Sequence, residues 1–283
     1  KTYDEDEEAL DTQDLILEAM RSRKMRANAS YMAFTATPKN STLEKFGIRQ
    51  EDGSFRPFHL YSMKQAIEEG FILDVLANYT TYRSYYEIEK SIEDNPMFDA
   101  TKAQKKLKHF VEQHRQTIGT KAEIMVDHFI SKVVTTKKLR GKAKAMVVTQ
   151  SIESAIRYYF AIQRLLADKG NPFKAAIAFS GKKEIDGIEY TEDSLNNFPA
   201  SMDTSKPTDP GYIGDKIARY FDMDEYRILI VANKYLTGFD QPKLTAMYID
   251  KKLQGVLAVQ ALSRLNRAAD ALGKKTEDLF VLD

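Results

Sequence analysis

The chain has no cysteine. That absence excludes disulfides and thiolate metal sites and suits a reducing compartment, so a cytoplasmic location is expected. No apolar run approaches the roughly eighteen residues needed to cross a bilayer, and no secretory leader pattern is visible. Neither a membrane nor a bound metal is expected as a partner. The four histidines, His59, His109, His114 and His128, have no metal-ligand spacing and read as surface residues. Two further absences matter more. The chain lacks G-x-x-x-x-G-K-[ST], whose backbone amides and lysine cradle nucleotide phosphates. It also lacks an acidic pair following an apolar strand. Asp4, Glu5, Asp6 and Glu7 offer carboxylates without the preceding β-run and read as part of an acidic arm.

What is present is a soluble composition, 43% hydrophobic and 29% charged, enough for one large or two small domains. The net charge of +1 hides an asymmetry. Residues 1–18 carry eight acidic side chains against Lys1 alone, whereas residues 101–145 carry twelve basic against three acidic. The acidic arm is expected to be solvated. The basic stretch reads either as a solvated helical face or as a track for nucleic-acid phosphates, with Lys105, Lys106 and Lys108 at its centre.

The first half is irregular. Residues 14–29 are helix-prone and 31–37 are strand-like. Residues 41–47 read as a short helix with a capping box at Ser41 and Glu44 and a glycine stop. Asp52-Gly53 marks a turn, 56–61 a strand, and Ser62 with Gln65 starts a helix ending at Gly70. Residues 101–140 read as two basic amphipathic helices broken near Gly119. From residue 143 the pattern becomes regular. Strand-like runs at 145–149, 175–178, 228–231, 246–249 and 279–282 alternate with helical ones at 152–168, 213–220 and 256–266. Such alternation predicts a parallel α/β sheet covered by helices. Residues 181–211 read as a long, mobile insertion.

Chemistry concentrates near the end of the chain. A strand over 227–231 runs into a loop holding Thr237, Gly238 and Asp240, closed by Pro242. Loops at the carboxyl ends of parallel strands are where open α/β sheets bind ligands. Farther on, Val259, Leu262 and Leu265 make the apolar face of a predicted helix. Gln260, Arg264 and Arg267, at i, i+4 and i+7, make a cationic one. Such a face is solvated, paired with acids, or aimed at an anion.

The wording of these segments resembles known motifs. Thr237-Gly238-Phe239-Asp240 is similar to helicase motif V, and Gln260–Arg267, Q-A-L-S-R-L-N-R, to motif VI of superfamily 2 DNA motors. Phe34-Thr35-Ala36-Thr37-Pro38 is similar to motif III. With the flanking blocks 61–82 and 237–267, the chain from about Ser30 onward resembles the motor-restriction (R) subunit of type I restriction-modification enzymes.

That resemblance implies an internal fragment of a longer protein. Residues 1–90 would be the C-terminal part of helicase motor domain 1, incomplete and carrying motif III. Residues 91–142 would be a basic helical connector, and 143–283 a RecA-like motor domain 2. It further implies ATP and Mg2+ between the two motor domains, with no cofactor held tightly by this chain by itself. Arg264 and Arg267 would act as arginine fingers on the γ-phosphoryl group, with Gln260 sensing it. Gly238 and Asp240 would contact the nucleotide or order the attacking water, and Thr35 and Thr37 would relay the nucleotide state. Thr149, Ser151 and Thr237 would grip the backbone of double-stranded DNA, with Lys105, Lys106 and Lys108 alongside. The implied partners are DNA and the methyltransferase and specificity subunits. The full enzyme would be an ATP-dependent endonuclease, this chain alone being inactive. Blander roles stay open. Thr35 and Thr37 suit any strand, Ser151 any helix cap, Asp240 any turn, and the arginines any salt bridge. Two other functions remain as alternatives, a different superfamily 2 DNA or RNA motor and a non-catalytic DNA-binding or assembly module.

Overall fold

A computed structural model describes residues 31–35, 37–81, 118–198 and 216–283. The chain divides into two compact units, Lys1–Gln65 and Ala66–Asp283.

In the first unit, residues 31–35 form no regular element, so the strand expected over 31–37 does not form there. Met32 and Phe34 are exposed, so the segment buries no apolar face of the kind that holds a strand in a sheet. Helix α1, Asn40–Phe46, starts earlier than its expected cap, with Lys39 at the N-cap and no side-chain cap bond. Ser41 lies inside the helix, and the expected capping box with Glu44 is not formed. Gly47 does stop the helix, for a steric reason. A Cβ there would meet the Leu43 carbonyl oxygen at 2.6 Å and that of Arg56 at 2.8 Å. Strand β1, Ile48–Arg49, pairs antiparallel with β2, Phe55–Arg56, across the Asp52-Gly53 turn. The strand expected over 56–61 ends at Arg56 because Pro57 has no N–H to give a ladder. Helix α2, Met63–Glu68, follows the reciprocal cap expected of Ser62 and Gln65. The Gln65 amide donates to Ser62 Oγ at 3.1 Å, and the Ser62 amide to Gln65 Oε1 at 3.0 Å.

The second unit is built on one six-stranded parallel sheet. Its strands are β3 (Tyr79–Thr80), β4 (Lys144–Thr149), β5 (Lys174–Ala178), β8 (Tyr226–Val231), β9 (Leu244–Asp250) and β10 (Phe280–Leu282). They lie in the order β3-β10-β9-β4-β8-β5. The parallel α/β class expected from the strand–helix alternation is the class observed. Strands β4 and β8 are buried along their whole length, which is why they read as continuous β-rich apolar runs rather than alternating ones. Alternation instead sorts their side chains between two cores. Ala145, Val147, Ile228 and Ile230 face one, and Met146, Val148, Leu229 and Val231 the other.

Three helical segments close the two faces. Helix α3, Ile118–His128, continues as a π-helix over Phe129–Val134. With α4, Ile152–Asp168, it buries Ala122, Met125, Val126, Phe129, Tyr158 and Ile162 in the first core. Gly119 lies in the first turn of α3, and the helical segment expected before it lies outside the described residues. On the opposite face α6, Lys216–Asp222, packs Ile217, Tyr220 and Phe221 into the second core.

The described part of the basic stretch is largely paired or buried. Lys121 pairs with Asp250, Lys138 with Asp278 at 3.8 Å and Lys142 with Asp224 at 3.4 Å. Lys144 is fully buried, donating to the carbonyls of Met223 (2.7 Å) and Tyr226 (2.6 Å). His128 is also a core residue, correcting its reading as a surface one. It stacks on Phe280 and its Nδ1 lies 2.7 Å from the Tyr248 hydroxyl. Burial lowers it to about 3. The insertion expected over 181–211 is partly regular, with β6 (Lys182–Ile185) and β7 (Ile188–Thr191) forming a hairpin and α5 (Glu192–Asn196) following. No helix among the described residues is long and apolar enough to cross a membrane.

Candidate functional site

The loop between β8 and β9 and the segment following α7, Gly255–Leu262, meet through specific contacts. Gly238 adopts φ +72°, a left-handed conformation that a side chain would strain. Next to it Phe239 turns inward, buried and stacked on Tyr235 with ring centroids 4.5 Å apart. That anchor leaves the Phe239 carbonyl to accept a hydrogen bond from Arg264 Nη1 at 2.8 Å. Arg264 Nε also donates to the Gln260 carbonyl at 3.1 Å. Burial, then the neighbouring Arg267 charge, lowers the Arg264 pKa, and Asp240 opposes the shift.

Arg267 sits differently. Its Nε lies 3.5 Å from Asp240 Oδ1, and the side chain keeps 48% of its surface in solvent. A loose pair this exposed contributes little stability. The planar fork is therefore accessible to an anion, and Arg264, tied to two carbonyls, is the more rigid of the two guanidiniums.

The one-face spacing expected of Gln260, Arg264 and Arg267 does not survive as a helix. α7 ends at Leu262, and the next residues tighten into a turn through i→i+3 bonds from the Arg264 and Leu265 amides. Ser263 assists by donating its hydroxyl to the Val259 carbonyl at 2.6 Å. Arg264 and Arg267 reach the Gly238–Asp240 loop from this turn and the extended chain beyond it. Gln260 remains on the helix, half-buried.

Three hydroxyls were expected at a DNA surface. Thr149 is fully buried, and its hydroxyl lies between the carbonyl oxygens of Val231 (3.0 Å) and Ser151 (3.1 Å), to either of which its one hydrogen can be donated. Its hydroxyl is thus turned away from solvent in this structure. Ser151 caps α4, accepting the Ser154 amide at 3.1 Å. Thr237 is exposed beside Gly238. Thr35 and Thr37 belong to the first unit, where the Thr37 amide donates to Thr35 Oγ1 at 3.3 Å. Lys105, Lys106 and Lys108 lie outside the described residues. Among the described residues no three His, Cys, Asp or Glu side chains are grouped to hold a metal ion.

The sequence reading missed Gln241 and Lys274. Gln241 is buried, donating to Asp222 Oδ1 at 3.1 Å. Lys274 is buried within reach of both loops. Neither carries a periodic or motif signal, because their burial depends on how the 222, 242 and 265–267 segments come together in the fold.

Residues 141–279, which hold this loop pair and most of the sheet, match the family described as Type I restriction enzyme subunit R domain 3. They belong to the R-subunit family of type I restriction enzymes. The chain is also 27% identical over 259 residues to the type I restriction enzyme SauMRSORF196P endonuclease subunit of Staphylococcus aureus (strain MRSA252). It is 24% identical over 265 residues to the SsaAORF53P endonuclease subunit of Staphylococcus saprophyticus. Each alignment covers 85% of this chain and 26% of the relative. The chain thus spans about a quarter of the length of these R-subunit relatives, and its motif V-like and motif VI-like segments both fall within the family match.

Proposed function

We propose that this chain is the part of a type I restriction endonuclease motor that supplies arginines across the motor cleft to ATP hydrolysis during translocation on double-stranded DNA. The observation that carries the proposal is the joining of two arginines to the Gly238–Asp240 loop, one tethered through the Phe239 carbonyl and one exposed beside Asp240. A tethered and an accessible guanidinium within three residues fit a polyphosphate, which wants several fixed donors. ATP, when bound, supplies a γ-phosphoryl group whose oxygens gain charge as it is transferred.

Arg267 leaves its loose pairing with Asp240 and points its fork at those oxygens. Arg264 holds the turn against the Phe239 carbonyl and lends a second positive charge. Gln260, one turn earlier, completes the donor set, and Asp240 orients either the free arginine or the attacking water. Ser151 and Thr237 are the hydroxyls proposed for the DNA backbone, with Lys105, Lys106 and Lys108 as a phosphate track and Thr35 and Thr37 as relays from motor domain 1. Nothing among the described residues is assigned to Mg2+. The methyltransferase and specificity subunits are the proposed protein partners, and the cytoplasm the proposed location. The test is DNA-dependent ATP hydrolysis by the full-length protein. Arg267→Ala is expected to lower kcat by about 10³ or more, and turnover within twofold of the parent would overturn the proposal.

A further inference from the structure

Lys274 lies in the loop before β10, seven residues after Arg267 and 32 after Pro242. Its ammonium has three hydrogens, and all three are used. They go to the carbonyl oxygens of Pro242 at 2.9 Å, Leu265 at 2.9 Å and Arg267 at 2.8 Å. The residue is 5% exposed, so its charge is largely removed from water. Burial costs a lone ammonium several kcal/mol unless every hydrogen finds an acceptor. Lysine has no acceptor of its own, so only carbonyls or carboxylates satisfy it.

The identity of the three acceptors is the informative point. Pro242 closes the Gly238–Asp240 loop, and Leu265 and Arg267 belong to the turn and extended chain after α7. The latter two carbonyls lie where a helix ends and runs out of intrahelical donors. One side chain therefore ties together the two backbones whose side chains form the proposed arginine site. Of the other side-chain interactions described above, Arg264 to Phe239 and Arg267 to Asp240 join the same segments directly, while Ser263 to Val259 and Arg264 to Gln260 hold the turn. Of these, the Arg267 pair is loose and exposed.

We infer that Lys274 is a positioning residue, a buried three-point clamp that sets where Arg267 starts by fixing its backbone to the Gly238–Asp240 loop. It touches no reacting atom in this account. It acts through the arginines, and so the inference rests on the function proposed above. Displacing a reacting group by about 1 Å costs roughly 10²-fold in rate, so losing one of the clamps on Arg267 is expected to be felt in kcat.

The experiment compares Lys274→Met, Arg267→Ala and the double variant in the full-length protein. DNA-dependent ATPase kcat and KM are measured alongside hydrogen exchange of the 239–241 and 263–268 amides. Lys274→Met keeps the stem and removes the donors. It is expected to lower kcat by roughly ten- to a hundredfold with KM for ATP within about twofold. Exchange should rise in both segments but not in β4 or β8. The double variant should be no slower than Arg267→Ala alone, since one residue acts through the other. Additive losses, or a Lys274→Met kcat within twofold of the parent while Arg267→Ala is slow, would overturn the clamp. If Arg267→Ala is itself near normal, the arginine function fails, and unchanged exchange in Lys274→Met then overturns the clamp separately. Should Lys274→Met not fold, Lys274→Gln, which keeps an N–H donor on a shorter stem, goes through the same comparison. It is expected to fall between parent and Arg267→Ala, and parent-like kcat and exchange would overturn the clamp.

Discussion

The sheet of the second unit and the loop pair that carries Arg264 and Arg267 are held by different physics. The strands are buried along their length, and two cores of Val, Ile, Leu and aromatic side chains lie on either face. The loop pair has Phe239 and Leu265 as apolar anchors, and the rest is donors to carbonyl oxygens, from Arg264 and Lys274. Apolar burial is non-directional and tolerates many residues of similar volume. Hydrogen bonds to particular carbonyls are directional, so they fix a side chain's starting point. The difference teaches that stability and activity should respond to separate substitutions.

On the loop side the companion to Arg267→Ala is Arg264→Ala. It removes a positive charge from the proposed site and also the bond to the Phe239 carbonyl. ATPase kcat in the full-length protein should fall by on the order of 10³, with a modest drop in melting temperature as well. A loss of stability without loss of turnover would put Arg264 with the sheet rather than the site.

On the sheet side, Phe129→Ala is the counterpart. Phe129 is fully buried and packs edge-on against Phe173 at 5.3 Å. Its truncation is expected to cost about 3–5 kcal/mol, measured by urea unfolding. Turnover per folded molecule should stay near normal. Reduced kcat in the folded fraction would show that the two regions are coupled.

Buried charge sharpens the comparison through pH. Burial pushes the ammoniums of Lys144 and Lys274 down to about 7, from 10.5 when unfolded. Between those values the unfolded chain binds more protons than the fold, so these two groups make stability rise with pH. Their penalty is fully present below about pH 7. His128, lowered to about 3 from 6.5, acts across a lower window, where stability falls as the solution is acidified. Lys144→Met should flatten the rise between about pH 7 and 10. An unchanged slope in urea midpoint against pH would show that Lys144 keeps its ordinary proton affinity in the fold.

Smaller still are two local effects. Gly238→Ala forces a side chain into φ +72° and is expected to cost about 1–2 kcal/mol. Ser151→Ala removes the α4 cap and should cost about 1 kcal/mol. Both are read as shifts in thermal midpoint. A Ser151→Ala variant that is stable but weaker on duplex DNA would assign the hydroxyl a contact beyond capping.

Much of the sheet was legible because its signals are local. The run 145–149 and the helix 152–168 are each bounded by residues with a mechanism, above all the Ser151 cap, and the observed elements differ from them by at most one residue. The hairpin at 182–191 was legible too and was missed. Asp186-Gly187, with φ of 52° and 78°, sits between two short alternating segments, which is a strong hairpin signal. Other errors were not avoidable locally. Nothing near Lys144 or His128 distinguishes a buried residue from a surface one, because their partners, Tyr226 and Tyr248, lie far along the chain. The end of α7 is of the same kind. Its helical spacing continues past Leu262, but tertiary contacts of Leu265, Asn266 and Arg267 set the backbone there. The pairing of Asp240 with Arg267, 27 residues apart, had no signal in any spacing.

The central claim is that Arg267 acts through its guanidinium on a phosphate and not as a structural ion pair. Arg267→Lys keeps the charge and removes the planar fork, so DNA-dependent ATPase activity and thermal unfolding measured on that one full-length variant test the claim most directly. The account predicts a fall in kcat on the order of 10³ with an unchanged melting temperature. Near-normal turnover, or a loss of activity that simply follows lowered stability, would contradict it.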